Sequence, residues 1–187
     1  MNVFILNGSP RKGGNTDVLT EQAALGAVAG GATVEKVYLA DYRIEPCDAC
    51  DACLRTARCK KDDDMRPLYE KIWWADAFII GTPVYWWGVS AQTKLFIDRW
   101  YALVERREAL AGKPLAVIAP HGDASPHTAD HVFGMFREIA AYRDMPLVGT
   151  QWAVGRPRRQ AATNTAAMAE AFELGKKIAA SSSGYPV

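Results

Sequence analysis

Short apolar runs alternate along the chain with longer stretches whose apolar positions recur at helical spacing. Residues 3–6, 77–81 and 115–119 are nearly continuous apolar runs, the pattern of strands buried on both faces of a parallel sheet. Residues 33–39 and 147–154 supply two more strands, giving five in all. Between them the 3.6-residue period predicts helices over 15–28, 65–75, 90–104 and 128–141, and a long Ala-rich helix over 161–180. Asn15 and Thr16 stand where the first helix needs a cap, and Asp62-Asp63-Asp64 precedes the second helix, where its dipole favours negative charge. Strands alternating with helices define an α/β fold, a three-layer sandwich with a five-stranded parallel sheet covered on both faces. No repeat, low-complexity block or linker divides the chain. The expectation is a single domain over residues 1–180 with a Ser-rich tail at 181–187.

One stretch breaks the rhythm. Residues 40–63 lie between the second strand and the second helix without clear periodicity, and loops of that length in a compact domain carry function or are disordered. All four cysteines fall in this insertion, as Cys47-x2-Cys50-x2-Cys53-x5-Cys59. Three thiols at x2 spacing can wrap one compact iron–sulfur cluster, as in ferredoxin-type runs. Zinc sites more often use two separated pairs, and a CxxC dithiol leaves two thiols without a role. A 4Fe–4S cluster, zinc, a redox dithiol and plain reduced thiols all stay open on spacing alone.

Two further loops carry chemistry. Gly8-Ser9-Pro10-Arg11-Lys12-Gly13-Gly14-Asn15-Thr16 joins the first strand to the first helix. Glycines let backbone N–H groups approach an anion, the helix N-terminus adds donors, Ser9, Asn15 and Thr16 add side-chain donors, and Arg11 adds charge. It is not a Walker loop, because Gly14 stands where the lysine belongs, nor a GxGxxG fingerprint, because residue 10 is proline. What remains is a phosphate cradle of another kind. After the third strand come Pro83, Val84, Tyr85, Trp86, Trp87 and Gly88. Three consecutive aromatics in a loop suit the wall of a flat aromatic ligand, or a subunit interface. His121-Gly122-Asp123 leaves the fourth strand on the same edge, where it can close over such a ring or stand as a plain surface loop. His127 and His131 lack a third partner for a metal. Arg156, Arg158 and Arg159 suit either the extra phosphate of NADPH or a solvated turn. Trp73, Trp74, Trp100 and Tyr101 read as core or subunit interface.

In the strand order 2-1-3-4-5 the switch point falls between the first and third strands, from which the phosphate loop and the aromatic loop depart; a flavodoxin-like sheet of this order holds FMN there. With these residues the chain resembles the NADPH-dependent FMN reductase superfamily of flavodoxin-like proteins, and most of all its iron–sulfur flavoprotein branch. Gly8-Ser9-Pro10-Arg11 with Gly14-Asn15-Thr16 matches the family's FMN phosphate loop. Pro83-Val84-Tyr85-Trp86, then Ser90-Ala91 and Lys94-x-Phe96-Ile97-Asp98-Arg99, matches its flavin-ring loop and the helix behind it. Cys47, Cys50, Cys53 and Cys59 fit its cluster motif, followed by Asp63-Asp64-Met65. The likeness runs over roughly residues 2–155. It implies FMN held non-covalently at a dimer interface, often in a dimer of dimers.

Charge and composition narrow the partners. Lys plus Arg number 22 against 21 for Asp plus Glu, so no broad electrostatic footprint for nucleic acid or an anionic membrane exists. No apolar run approaches the roughly 18 residues of a membrane span. With no leader pattern at the start and only 4 cysteines, a cytoplasmic protein with reduced thiols is expected. The function expected is an FMN oxidoreductase that passes electrons from NAD(P)H or a carrier protein to a small-molecule or protein acceptor, with a cluster moving single electrons if present. No acid–base residue stands out as catalytic. The rivals are a cluster-free NAD(P)H:quinone or flavin reductase, a non-enzymatic flavodoxin-like carrier, and a zinc-stabilised binding protein.

Overall fold

The computed structural model describes residues 1–181; apart from Ser181, the expected tail lies outside the described residues. Five strands, β1 (Asn2–Asn7), β2 (Thr33–Tyr38), β3 (Ala77–Gly81), β4 (Leu115–Ile118) and β5 (Leu147–Gln151), form one sheet in the order β2-β1-β3-β4-β5. Every pairing is parallel, with Val3 opposite both Val34 and Ala77, and Phe78 opposite Leu115. Six helices accompany it: α1 (Asn15–Ala29), α2 (Ala52–Thr56), α3 (Met65–Trp74), α4 (Ala91–Asp98), α5 (Asp130–Tyr142) and α6 (Thr165–Ala180).

The period of two along the central strands divides the interior into two cores. Phe4, Leu6, Phe78, Ile80, Leu115 and Val117 face one way, onto Met65, Leu68 and Ile72 of α3, Phe96 of α4 and Phe136 of α5. That side is built from large rings, with Trp100 edge-on to Phe96 at 5.6 Å and tilted against Phe78 at 6.3 Å. Val3, Ile5, Ala77, Ile79, Ala116 and Ile118 face the other way, onto Leu19 and the alanines of α1 and α6.

Small residues let those two helices touch backbone to backbone. A Cβ on Gly26 would stand 1.9 Å from the Phe172 carbonyl oxygen, and one on Gly175 1.9 Å from that of Ala23. Neither obstacle can rotate aside. Gly175→Val is therefore expected to lower stability by about 3 kcal/mol, the upper end for overpacking, which a shift of the urea midpoint at unchanged slope would check.

Three expectations need adjusting. The helix foreseen over 90–104 stops at Asp98 and tightens into a 3₁₀ turn over Arg99–Leu103, where Arg99 turns inward. The last helix starts at Thr165, preceded by a 3₁₀ turn at Gln160–Thr163, because Asn164 caps it by accepting the Ala167 N–H. The 40–63 insertion is not wholly irregular, since α2 folds inside it. No helix among the described residues is long and apolar enough to cross a membrane.

Candidate functional site

Loops leaving the carboxyl ends of β1, β3, β4 and β5 enclose one cleft, lined by Ser9, Arg11, Gly14, Asn15, Thr16, Pro83, Val84, Tyr85, Pro120, His121, Gly122, Gly155, Arg156 and Arg158. The loop after β1 is folded by its own hydrogen bonds. Asn7 Oδ1 accepts the Ser9 N–H at 2.9 Å, Ser9 Oγ accepts the Arg11 N–H at 3.2 Å, and the Arg11 carbonyl accepts the Gly14 N–H at 2.9 Å. Gly14 precedes α1 without a side-chain cap. The N–H groups of Asn15, Thr16 and Asp17 have no intrahelical acceptor, as in every first turn, and Gly14, Asn15 and Thr16 line the cleft.

Charge at this end is arranged for an anion. Arg11, Arg156 and Arg158 line the cleft and no carboxylate does. Asp17, in the first turn of α1, is neutralised. Its Oδ1 takes the Lys36 ammonium at 2.7 Å and the Tyr38 hydroxyl at 3.0 Å, and its Oδ2 takes the Gly13 N–H. Burial pushes the Asp17 carboxyl up, but the Lys36 hydrogen bond and the Gly13 N–H outweigh it and hold the group below the ordinary carboxylate value. Asn15, expected to donate to a ligand with its side chain, spends it on structure. Its amide donates to the carbonyls of Gly155 (2.6 Å) and Pro157 (3.0 Å) and accepts from the Ala161 N–H, tying the β5–α6 loop across the cleft. Arg156 donates to the Gly122 carbonyl at 2.8 Å, so the turn that brings two arginines to the wall is tied to the β4 loop while its residues stay exposed to solvent.

The loop after β3 is a tight hairpin. Tyr85 and Gly88 exchange N–H···O bonds of 2.9 and 3.0 Å, and both residues between them are left-handed, Trp86 at φ 51° and Trp87 at φ 60°. This is the type I′ arrangement, which ordinarily takes Asn-Gly; two bulky residues there store roughly 1 kcal/mol or more each. The turn carries Trp86 out into solvent, 92% exposed, with Trp87 beside it at 54%. Pro83, Val84 and Tyr85 line the cleft itself, whereas Pro10, Trp86, Trp87 and Gly88 do not.

His121 lines the same cleft. It is buried, and its Nδ1 lies 2.9 Å from the Asp123 carbonyl oxygen, which can only accept, so Nδ1 carries the proton and Nε2 offers a lone pair. That Nε2 is buried without a hydrogen-bond partner among the described residues. Trp152 stacks on the ring at 5.2 Å and 19°, a support that sequence reasoning missed because Trp152 lies just beyond β5 with no periodic signal. Asp123 does not line the cleft; its carboxylate accepts the Ser125 N–H and the Thr128 hydroxyl, which hold it below the ordinary value. His127 and His131 are exposed, and His127 pairs with Asp130. The uncapped helix start, the three guanidiniums and the orphaned Nε2 match the phosphate and the polar ring edge of a flavin mononucleotide.

The cysteines form a second centre. Cys47, Cys50, Cys53 and Cys59 line one small cavity with Arg99 and Tyr101. Among the described residues no three His, Cys, Asp or Glu side chains converge as the ligands of a single metal ion. A cubane cluster binds each thiolate to a different iron, so its ligands surround a volume instead of meeting at a point, and four thiols around one cavity suit that donor set. Ala49, Asp51 and Ala57 are all left-handed, at φ 50°, 56° and 54°, so the backbone is bent beside each cysteine spacing.

Arg99, expected inside the helix over 90–104, organises this loop. Its side chain is 1% exposed and pairs with the 3% exposed Asp63 carboxylate at 2.5 Å. It also donates to the Glu45 carbonyl at 2.9 Å and to Cys59 Sγ at 3.3 Å. Burial raises the Asp63 carboxyl, but Arg99 and the N–H groups of Glu45 and Met65 overcome this and hold it low. Only spatial neighbours 36 residues apart reveal the pair, so no local pattern could have found it.

The sheet order, the cleft at the β1/β3 switch point and its anion-binding loop define a flavodoxin-like flavin-binding protein. The NADPH-dependent FMN reductase family matches residues 1–158, and the chain belongs to that family. It is 39% identical over 99 residues to an iron-sulfur flavoprotein of Methanocaldococcus jannaschii, covering 53% of this chain and about half, 51%, of that relative. An iron-sulfur flavoprotein of Archaeoglobus fulgidus is 32% identical over 177 residues, 92% of this chain and 76% of the relative. Among solved structures, the Trp repressor binding protein of Bacillus subtilis superposes with a TM-score of 0.71 at 26% identity, covering 93% of this chain and 99% of that one.

Proposed function

We propose that this protein is an iron–sulfur flavoprotein in which FMN, held in the cleft, exchanges electrons with a 4Fe–4S cluster on Cys47, Cys50, Cys53 and Cys59. NAD(P)H or a carrier protein supplies the electrons, and a small-molecule or protein acceptor takes them. The observation that carries the cofactor assignment is the cleft itself: uncapped α1 N–H groups, three arginines in its wall and a buried histidine nitrogen without a partner among the described residues.

The residues divide the work. The N–H groups of Asn15, Thr16 and Asp17, with Ser9 and Arg11, hold the phosphate, and Arg156 and Arg158 complete its charge. Pro83, Val84 and Tyr85 bound the ring, while His121, locked in one tautomer by the Asp123 carbonyl, accepts a hydrogen bond from the ring's polar edge through Nε2. Bound FMN supplies transfer of a hydride or of single electrons. The chain's part is to orient the ring, and no side chain is needed as acid or base. Arg99 holds Cys59 and the Glu45 carbonyl in place, fixing both ends of the cysteine loop against the large-ring core. The exposed Trp86 and Trp87 support assembly into a dimer or tetramer across the flavin edge.

The deciding measurement is iron and acid-labile sulfide per FMN, on protein purified without oxygen. About four irons and four sulfides per flavin are expected. Flavin without iron would overturn the cluster and leave a cluster-free NAD(P)H reductase, while a colourless protein would overturn the flavin as well. Bleaching by NADPH or NADH, against inertness to both with reduction by ferredoxin, separates the two classes of donor.

A further inference from the structure

A second cleft of ≈ 670 Å³ opens next to the four-cysteine cavity, lined by Ala57, Arg58, Cys59, Arg66, Tyr69, Glu70, Trp73, Ala102, Leu103 and Arg106. Its volume falls in the range of small-molecule sites, and its residues take no part in the flavin cleft. Three guanidiniums face a single carboxylate, Glu70. Arg66 pairs with exposed Asp62 at 3.0 Å and Arg106 with Glu108 at 3.6 Å, both on the surface where such pairs exchange readily for a ligand. Arg58 makes no side-chain hydrogen bond or ion pair among the described residues. The floor is rich in rings: Trp73, with Arg106 4.5 Å and Lys113 5.9 Å over its ring, beside Tyr69 and Leu103. A solvated basic surface would carry guanidiniums without such a floor, and a plain apolar cavity would not ring itself with three of them.

We infer that this cleft binds a planar organic anion, an aromatic ring bearing carboxylate or sulfonate groups, bounded by Tyr69, Leu103 and the stacked Arg106–Trp73 pair, with its charge toward Arg58 and Arg66. Arginine suits this work because its planar fork both stacks on rings and grips a carboxylate in two places. The position matters as much as the chemistry. Cys59 and Ala102 line both this cleft and the four-cysteine cavity, so a bound anion lies against the cysteine loop and touches no residue that lines the flavin cleft. The site does not depend on the loop holding a cluster, because none of its anion-binding groups is a cysteine.

The test is calorimetric titration of the FMN-loaded protein with naphthalene-2,6-dicarboxylate, a redox-inert planar dianion. Saturable binding is expected, weakening with salt as exposed charges are screened. Arg58→Ala/Arg66→Ala should weaken it at least tenfold, and Trp73→Leu severalfold. Arg137→Ala, an exposed arginine on α5, should leave it unchanged, and FMN content should be unchanged throughout. Arg58 and Arg66 are exposed, so their replacement tests the site without threatening the fold. Three results would overturn the inference: no saturable binding to the wild type, equal affinity in the double variant, or loss of binding only when the flavin cleft is altered. A fall in oligomer mass in the double variant, with no uptake by the wild type, would overturn it by making this face a subunit contact.

Discussion

Asp63→Ala is expected to cost about 3–5 kcal/mol of stability, the usual result of leaving one member of a buried ion pair alone. The partner left behind is Arg99, 1% exposed, with no water to take over its charge. Because Asp63 also accepts the N–H groups of Glu45 and Met65, its loss frees both ends of the cysteine insertion at once. Urea unfolding of the FMN-loaded protein measures the first effect, and faster reaction of the four thiols with a disulfide reagent measures the second. Asp63→Asn keeps the acceptor without the charge and should fall between the two. The same pair predicts an acid limit. Asp63 and Asp17 both sit below their ordinary value of 3.8 in the folded chain. Their stabilisation is complete above that value and is lost as pH falls from it through the depressed native values.

The second large effect is expected at Gly8. A Cβ there would lie 1.9 Å from Thr93 Oγ1 and 3.2 Å from both the Gly81 carbonyl and Ser90 Oγ. Gly8 is also bonded on both sides, its N–H to the Gly81 carbonyl at 2.7 Å and its carbonyl to the Ser90 hydroxyl at 2.6 Å. Gly8→Ala must therefore push the phosphate loop away from the β3 loop, and FMN should bind at least about tenfold more weakly, roughly 1.4 kcal/mol. Equilibrium dialysis or flavin fluorescence reads the change. Adding Thr93→Ala removes the nearest obstacle, so the double variant should bind FMN better than the sum of the two single effects predicts. Equal losses in the single and double variants would show that the steric account is wrong.

How much of this was legible in the sequence depends on how local each cause is. The strands and the loops after them could be located because the central strands are continuous apolar runs and glycines, prolines and aromatics mark the loops, whereas the strand order came with the flavodoxin-like resemblance. The helix behind the aromatic loop was read too long, since composition gives no sign that residue 99 turns inward to meet residue 63. The five-residue α2 is too short to show a period. Asn15 looked like a ligand donor because its partners, Gly155 and Pro157, are 140 and 142 residues away. Arg58, Arg66, Arg106 and Trp73 gather only where the cysteine insertion, α3 and the segment after α4 meet, and nothing in their spacing foretells a shared cleft.

The hairpin at Trp86 and Trp87 bears on how this surface associates. A flexible loop bearing two indoles would have to give up many conformations before a neighbour could be seated on it, and that entropy would be subtracted from the affinity. Here the chain has already fixed both residues in an uncommon backbone state, closed on either side by the Tyr85 and Gly88 hydrogen bonds. Whatever flat ring or protein face meets these indoles does so with most of the ordering cost already met in folding, so contact through this small knuckle can be quick, reversible and still selective.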